Sequence, residues 1–381
     1  MRVLVTYVSA GAGHQRAAKA VVKALEECSR QHNRQIETKL VDALDYSTHL
    51  FRKSYPAIYL FAITYVPLIW GIAYLVLDNR VIYFFAAFFR RVTNKLNSAK
   101  FIQLLHSFNP DLVISTHFYP SEVIANQRRK GKFKGRLISV ITDFRVHAFW
   151  VTRGIDKFVV AAGNTKEELI KRGIAGEKVE VLGIPIDPVF ARDEDRNSLI
   201  NKLNLRRNLF TILIASGGFG VGPIEELVAE LENIPHSIQL IIVCGHNKLL
   251  YDHLISRNSK IFCKIYGFCE NMHELMGVSD VIVTKSGGLT SSECLAKSLP
   301  MIIIAPVPGQ ETRNCGVLVR EGAALKMDKP AQINGLIAEF IDQPQKISRV
   351  KENIKRSANP NAASDVVNLS LSLGEEMEVN K

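Results

Sequence analysis

The sequence predicts an α/β protein made of two doubly wound, Rossmann-like parallel-sheet domains that face each other across a cleft. Three observations predict it. Short β-branched runs alternate with helix-length segments almost from end to end, the runs fall into two series, and a glycine-rich turn follows the first strand of each series. The length, 381 residues, suits two domains of ordinary size.

The first series occupies residues 3–8, 37–41, 112–115, 137–141, 158–161 and 179–182, and the second 210–215, 239–243, 261–266, 281–284 and 301–305. Runs that are apolar throughout belong to strands covered on both faces, which means parallel sheets with right-handed crossovers. Between the series, residues 184–208 hold Pro185, Pro188 and the charged run Arg192-Asp193-Glu194-Asp195-Arg196, and read as a linker. The expected organisation is a front domain over 1–185, a linker over 186–208, a rear domain over 209–345, and C-terminal helices with a polar tail over 346–381. Ligands of such folds bind outside the carboxyl ends of the strands, so the cleft is the expected site.

Apolar residues at 47% and charged residues at 22% exclude a largely disordered, collagen-like or coiled-coil chain. The net charge of +11 is uneven: residues 1–190 carry 27 basic and 15 acidic side chains, and residues 191–381 carry 21 and 22. The front half therefore calls for an anionic partner, either nucleic acid or a membrane surface. Six cysteines without a CxxC or paired spacing act as small hydrophobes in a reducing compartment, with no zinc or disulfide framework. The opening apolar run is short and lacks a basic lead, so a cytosolic location is expected.

Residues 55–77 carry no charge, a run of 23 that meets the length criterion for a transmembrane helix. A buried helical hairpin, helices lying in the bilayer interface and a true span are the three readings. One crossing would separate the first strand and its glycine turn from the rest, and residues 81–89 are too short to cross back. Pro56, Pro67, the tyrosines at 55, 59, 65 and 74, and Trp70 favour the headgroup region, and with it the interfacial reading. Arg52, Lys53, Arg80, Arg90 and Arg91 flank the segment, and a cluster of six cations follows at 128–136. Together these favour an anionic membrane over nucleic acid, for which no stacking pattern or motif is visible.

The first strand ends in Ser9-Ala10-Gly11-Ala12-Gly13-His14 and opens a helix. Gly11 and Gly13 let backbone approach a ligand, and the free N–H groups favour negative charge. The turn is neither a dinucleotide fingerprint nor a P-loop. His14, at the cleft end of the strand, either takes a proton from an acceptor hydroxyl as general base or merely hydrogen-bonds the loop. In the rear domain Ser216-Gly217-Gly218-Phe219-Gly220-Val221-Gly222 follows a strand and reads as a diphosphate cradle, with Gly217 and Gly218 as its contacts. Ser286-Gly287-Gly288-Leu289-Thr290 repeats the device and leads to Glu293. That carboxylate either accepts both hydroxyls of a ribose or complements the helix dipole. Gln310 and Glu311, after Pro306-Val307-Pro308-Gly309, carry groups suited to sugar hydroxyls.

These motifs, with Thr142-Asp143-Phe144, His147 and Trp150, and Gly183-Ile184-Pro185-Ile186, occur in one order. On them the chain resembles the family of monogalactosyldiacylglycerol synthases and processive diacylglycerol glucosyltransferases. It is more distantly similar to the muramyl-lipid N-acetylglucosaminyl transferase of peptidoglycan synthesis. The resemblance implies a GT-B fold, with the front domain taking a lipid acceptor at the membrane and the rear one a UDP-sugar. It implies that His14 is the catalytic base, that Glu293 holds the ribose, and that Phe268 and Cys269 pair with uracil through their backbone. Gln310, Glu311 and Asn314 match donor-sugar contacts, and His147 and Trp150 match acceptor or anionic-lipid contacts. Ala12 stands where relatives often have a third glycine, and residues 55–77 are more apolar than the family pattern. Asp193-Glu194-Asp195 superficially fits a metal-binding DxD but falls in the expected linker.

The resulting expectation is a peripheral enzyme on the cytoplasmic face of the membrane. It moves a hexose from a UDP-sugar to diacylglycerol with inversion, and needs no metal or other cofactor. An N-acetylglucosaminyl transfer to a polyprenyl-linked or other lipid keeps the fold and changes the acceptor. A sugar-nucleotide epimerase on the same architecture, and a lipid or nucleotide sensor that has lost turnover, complete the range of readings.

Overall fold

Apolar β-branched runs and helices alternate through both halves of the chain. In the first half these are β1 (Arg2–Tyr7), α1 (Ala12–Gln31), β2 (Glu37–Asp42), α2 (His49–Tyr65), α3 (Pro67–Asp78), α4 (Arg80–Asn97) and α5 (Ala99–Phe108). Then come β3 (Leu112–Ser115), α6 (Phe118–Arg129), β4 (Arg136–Val140), β5 (Lys157–Val160), α7 (Gly163–Lys171) and β6 (Val179–Val181). The second half has α8 (Arg196–Lys202), β7 (Phe210–Ala215), α9 (Ile224–Leu231), β8 (Ile238–Val243), α10 (Lys248–Ser256) and β9 (Phe262–Tyr266). It continues with α11 (Met272–Val278), β10 (Val281–Thr284), α12 (Gly288–Ala296), β11 (Met301–Ile303), α13 (Gln310–Arg320) and β12 (Ala324–Lys326), and ends with α14 (Ile333–Asp342), α15 (Pro344–Ser357) and α16 (Ala362–Val379). The computed structural model describes residues 1–379, with the side chains of Arg80 and 376–379 outside the description.

Two units result. The first is Met1–Pro188 with Pro308–Gln310 and the chain from Asn361 onward; the second is Val189–Val307 with Glu311–Pro360. The first holds a parallel sheet in the order β2-β1-β3-β4-β5-β6, the second a parallel sheet in the order β12-β11-β10-β7-β8-β9. In each, the winding direction reverses once, between β1 and β3 and between β7 and β10. At such a switch point the loops leaving neighbouring strands part and open a crevice at the carboxyl edge.

Both faces of each sheet are covered, as unbroken apolar strands require. On β1, Val3 and Val5 pack against Val21 and Leu25 of α1, while Leu4 faces Phe101 and Leu105 of α5. Val366 and Val367 of α16 complete the first of these layers. The terminal helix that the sequence suggested is therefore α16, and it belongs to the core of the front unit. The expected linker is also more ordered than its charges suggest. Asp195 caps α8, accepting from the Ser198 amide at 2.7 Å, and Leu199, Ile200 and Leu203 are buried in the rear unit. The edge strand β12 is a further addition, too short to register as a period.

The uncharged segment 55–77 is not a buried hairpin. It spans most of α2 and α3, which bend by 116° at Val66, where Pro67 starts the second helix. No single helix is long and apolar enough to cross a membrane. Leu68 and Phe84 are each 74% exposed, and Ile58, Phe61, Ile69, Ile72, Phe85, Phe88 and Phe89 are exposed as well. The basic cluster at 128–136 is placed elsewhere. It lies between the end of α6 and the start of β4, at the amino edge of the sheet, whereas α2 to α4 leave from the carboxyl edge after β2. Arg128 and Arg136 are occupied with Asp156.

Candidate active site

In the front unit the site is assembled where the winding reverses. Gly11, at φ +97°, turns the chain from β1 into α1, and a β-carbon there would lie 3.9 Å from Cε1 of Tyr59. Nothing lies within 4 Å of where a Gly13 β-carbon would stand, so the turn leaves open space. His14 follows in the first turn of α1. Its Nδ1 is 2.8 Å from the Thr116 carbonyl and 2.9 Å from the Thr142 hydroxyl. A carbonyl only accepts, so Nδ1 carries the proton and Nε2 keeps its lone pair. Burial holds the His14 pKa below the ordinary histidine value, against the opposing pull of the Asp143 carboxylate.

The expected residues fall into two groups. Trp150, buried, lies 6.3 Å from the His14 ring. His147 is also buried, and both its ring nitrogens are engaged: Nε2 donates to the Tyr74 carbonyl at 2.9 Å and Nδ1 accepts from the Phe149 amide at 3.2 Å. It thereby ties α3 to the segment that carries Trp150. Trp70 packs edge-on to Tyr59 at 5.5 Å, while Tyr65 is 73% exposed beside Phe61, on the outer side of α2. The sequence reading missed Thr116 and His117, and gave Thr142, Tyr55 and Tyr59 no place beside His14. His117 meets His14 edge-to-face at 4.7 Å, and burial pushes its pKa well down. Polar Ser115-Thr116-His117 ending an apolar strand next to the first one was the available signal. Pro308–Gln310 pack with this unit, and Gln310 Nε2 donates to the Tyr59 hydroxyl at 2.7 Å.

In the rear unit, β7 and β10 are neighbours with Ala215 opposite Thr284, so the loops at 216–222 and 285–288 leave side by side. Gly220, at φ +58°, is forced: a β-carbon would meet the Cys244 carbonyl oxygen at 2.0 Å. Gly217 and Gly218 face open space, with nothing within 4 Å of either β-carbon position. Ser216 closes the loop by donating to the Val221 carbonyl. Gly287 and Gly288 start α12; Leu289 is buried, Thr290 half-buried, and Glu293 is 2% exposed further along the helix. Glu311 accepts from the Val307 amide at 2.7 Å, with its other carboxylate oxygen 3.9 Å from the Gly287 β-carbon position. Asn314 is fully buried and donates to the Ser286 carbonyl at 3.1 Å, which fixes the loop. Phe268, 56% exposed, stacks on His246 at 4.5 Å and 12°, a flat platform beside Cys269. Neither His246 nor Lys285 stood out in the sequence.

Among the described residues, Glu194, His273 and Glu274 are the group whose metal-ligand atoms converge, within 4.8 Å of one another. Glu274 already takes the Lys202 ammonium at 2.6 Å and the Asn271 amide at 3.2 Å, so the group is accounted for as an ion-pair network. Of the DxD-like run only Glu194 belongs to it.

Two Rossmann-like units of this topology, each with a glycine turn at its switch point, define the GT-B fold. MurG of Acinetobacter baumannii has the same fold, with a TM-score of 0.63 at 16% identity over 97% of this chain and 98% of that one. Residues 14–186 match the family model of monogalactosyldiacylglycerol synthase, and residues 211–368 that of the glycosyltransferase family 28 C-terminal domain. A processive diacylglycerol beta-glucosyltransferase of Bacillus cytotoxicus is 29% identical, covering 97% of this chain and 93% of the relative. One from Bacillus cereus is 31% identical, covering 70% and 69%. The chain belongs to this family of glycolipid-forming, UDP-sugar-dependent glycosyltransferases.

Proposed function

We propose that the enzyme transfers a hexose from a UDP-sugar to the free hydroxyl of diacylglycerol, inverting the sugar carbon, while docked on the membrane surface. The observation that carries the chemistry is the contact of His14 Nδ1 with the Thr116 carbonyl, which leaves the Nε2 lone pair available, while burial favours the neutral ring. It would take the hydroxyl proton as the acceptor oxygen attacks. Glu293 would hold the ribose, the Phe268 platform and the Cys269 backbone the uracil, and Gln310 and Glu311 the sugar. Backbone N–H groups of the loops at 216–222 and 285–288 would meet charge on the departing diphosphate. The acceptor and sugar must be brought together for transfer, away from competing water.

Membrane docking is supported by the inverted construction of α4. Its inward side is polar: Arg90 pairs with Glu122 at 2.9 Å, and Asn94 donates to the same carboxylate at 2.7 Å. Its outward side carries Val81, Phe84, Phe85, Phe88, Val92 and Leu96 at helical spacing, all exposed. A helix that faces water does the opposite. An exposed apolar face of this extent marks an interaction surface, and α2 joins it to the site, with Tyr59 above Gly11. Six free cysteines suit the cytoplasmic leaflet.

The test is incubation of the full chain with a panel of UDP-sugars and diacylglycerol vesicles, with lipid products identified by mass spectrometry. A hexosyl-diacylglycerol of inverted anomeric configuration is expected. Product only with a polyprenyl-linked acceptor would overturn the choice of diacylglycerol.

A further inference from the structure

We infer that Lys285 is a catalytic residue of the donor site, its ammonium meeting the diphosphate of the UDP-sugar and neutralising the charge that builds on the departing UDP. The inference rests on the UDP-sugar reading and deepens it. Lys285 directly follows β10, at the carboxyl edge and on the reversal between β7 and β10. Its Cε lies 3.9 Å from where a Gly222 β-carbon would stand, so the side chain reaches from one glycine loop to the other. It is only half-buried. Among the described residues no hydrogen bond or ion pair holds the ammonium, and its one electrostatic neighbour is the Glu311 carboxylate.

Most other lysines and arginines withdrawn from solvent in this chain have a fixed partner. Arg90 has Glu122, Arg128 has Asp156 and Arg172 has Asp78. A withdrawn cation without one is costly unless an anion arrives. Burial accordingly pulls the Lys285 pKa below the ordinary lysine value, against Glu311. Around it stand Gly217, Gly218 and Gly287, whose β-carbon positions meet open space or only the Glu311 carboxylate. Backbone there can approach a ligand, but N–H groups supply only partial charges. As the glycosidic bond breaks, negative charge builds on the β-phosphate toward one full extra unit in the departed UDP, and a lysine is the point charge suited to it. No bond forms to Lys285 and it transfers no proton: the glycosidic electron pair leaves on the β-phosphate oxygen.

The experiment compares uridine, UMP and UDP binding by calorimetry in the full chain, Lys285→Met and Lys285→Arg, together with steady-state transfer to diacylglycerol vesicles. Lys285→Met, of similar length without charge, is expected to bind uridine within about twofold of the parent and UDP at least about tenfold more weakly. Its kcat is expected to fall by about tenfold or more beyond any change in KM, and Lys285→Arg to recover most of the UDP affinity. UDP affinity unchanged in Lys285→Met overturns the inference. So does an equal loss for uridine, which signals a collapsed site. Failure of the parent to bind any uridine nucleotide would instead remove the donor reading on which it rests.

Discussion

His14 Nδ1 lies 2.8 Å from the carbonyl oxygen of Thr116, a contact that joins the first turn of α1 to the end of β3. Thr116 reciprocates, its hydroxyl donating to the His14 carbonyl at 2.9 Å. Because the two strands flank the point where the sheet reverses, the histidine is held from both sides of the crevice. The contact decides which nitrogen is basic, and the proposed mechanism follows from that.

His14→Ala is therefore expected to abolish transfer, with a loss of at least about 100-fold, the usual scale for a general base. UDP binding should be nearly unchanged, since the ring's contacts to Thr116, Thr142, His117 and Trp150 all lie within the front unit. Calorimetry with UDP checks the second half. A large loss of UDP affinity would move His14 into the donor site.

The pH profile follows from the direction of the His14 shift. Only neutral His14 accepts a proton, and its pKa lies below 6.5 because burial outweighs Asp143. The kcat/KM plateau is expected to extend below pH 6.5 before falling about tenfold per unit. The Asp143 charge raises the pKa, so Asp143→Asn should move the acid limb to lower pH. A limb that moves upward contradicts the assignment.

Both sheets, their glycine turns and the strand ends were legible in the sequence because unbroken β-branched runs followed by Gly-rich turns encode them directly. What was not legible depends on which elements become neighbours. Thr116 and His117 gain a role only because β3 lies beside β1, and Lys285 only because β10 lies beside β7. The same limit holds for α16: its apolar residues announce a helix with a buried side but not which sheet it covers. For residues 55–77 the composition signals an apolar environment equally well for a core and a bilayer, and only exposure separates them. The cations at 128–136 were grouped with that segment on charge alone, although the chain's direction through α6 places them at the other edge of the sheet.

Glu293 offers a test of the donor side. It is almost fully buried on α12 and sits beyond Gly287 and Gly288. Glu293→Ala is expected to weaken UDP binding by about 1–3 kcal/mol, the scale of lost charge-assisted hydrogen bonds. Glu293→Gln should lose less, since an amide oxygen still accepts one of them. Calorimetry that finds no change for either variant removes the ribose assignment.

The membrane surface can be separated from the chemistry. Phe88 and Leu68 belong to the exposed apolar face, on α4 and α3, and the contacts described for the site do not include them. Burying one such side chain in the interface stabilises binding by about 1.5–3 kcal/mol, so Leu68→Asp with Phe88→Asp should release the chain from vesicles. Turnover on a dispersed, short-chain diacylglycerol should survive. Arg91 and Lys95 lie on the same helix, and each cation near an anionic surface contributes about 1 kcal/mol. Binding to anionic vesicles should accordingly weaken with salt, while Lys132→Ala with Lys134→Ala, at the opposite edge of the sheet, should change nothing. Sedimentation with vesicles of differing anionic content measures all three. If the lysine pair releases the chain and the Leu68 and Phe88 changes do not, the docking face is the basic cluster and the apolar helices need another partner.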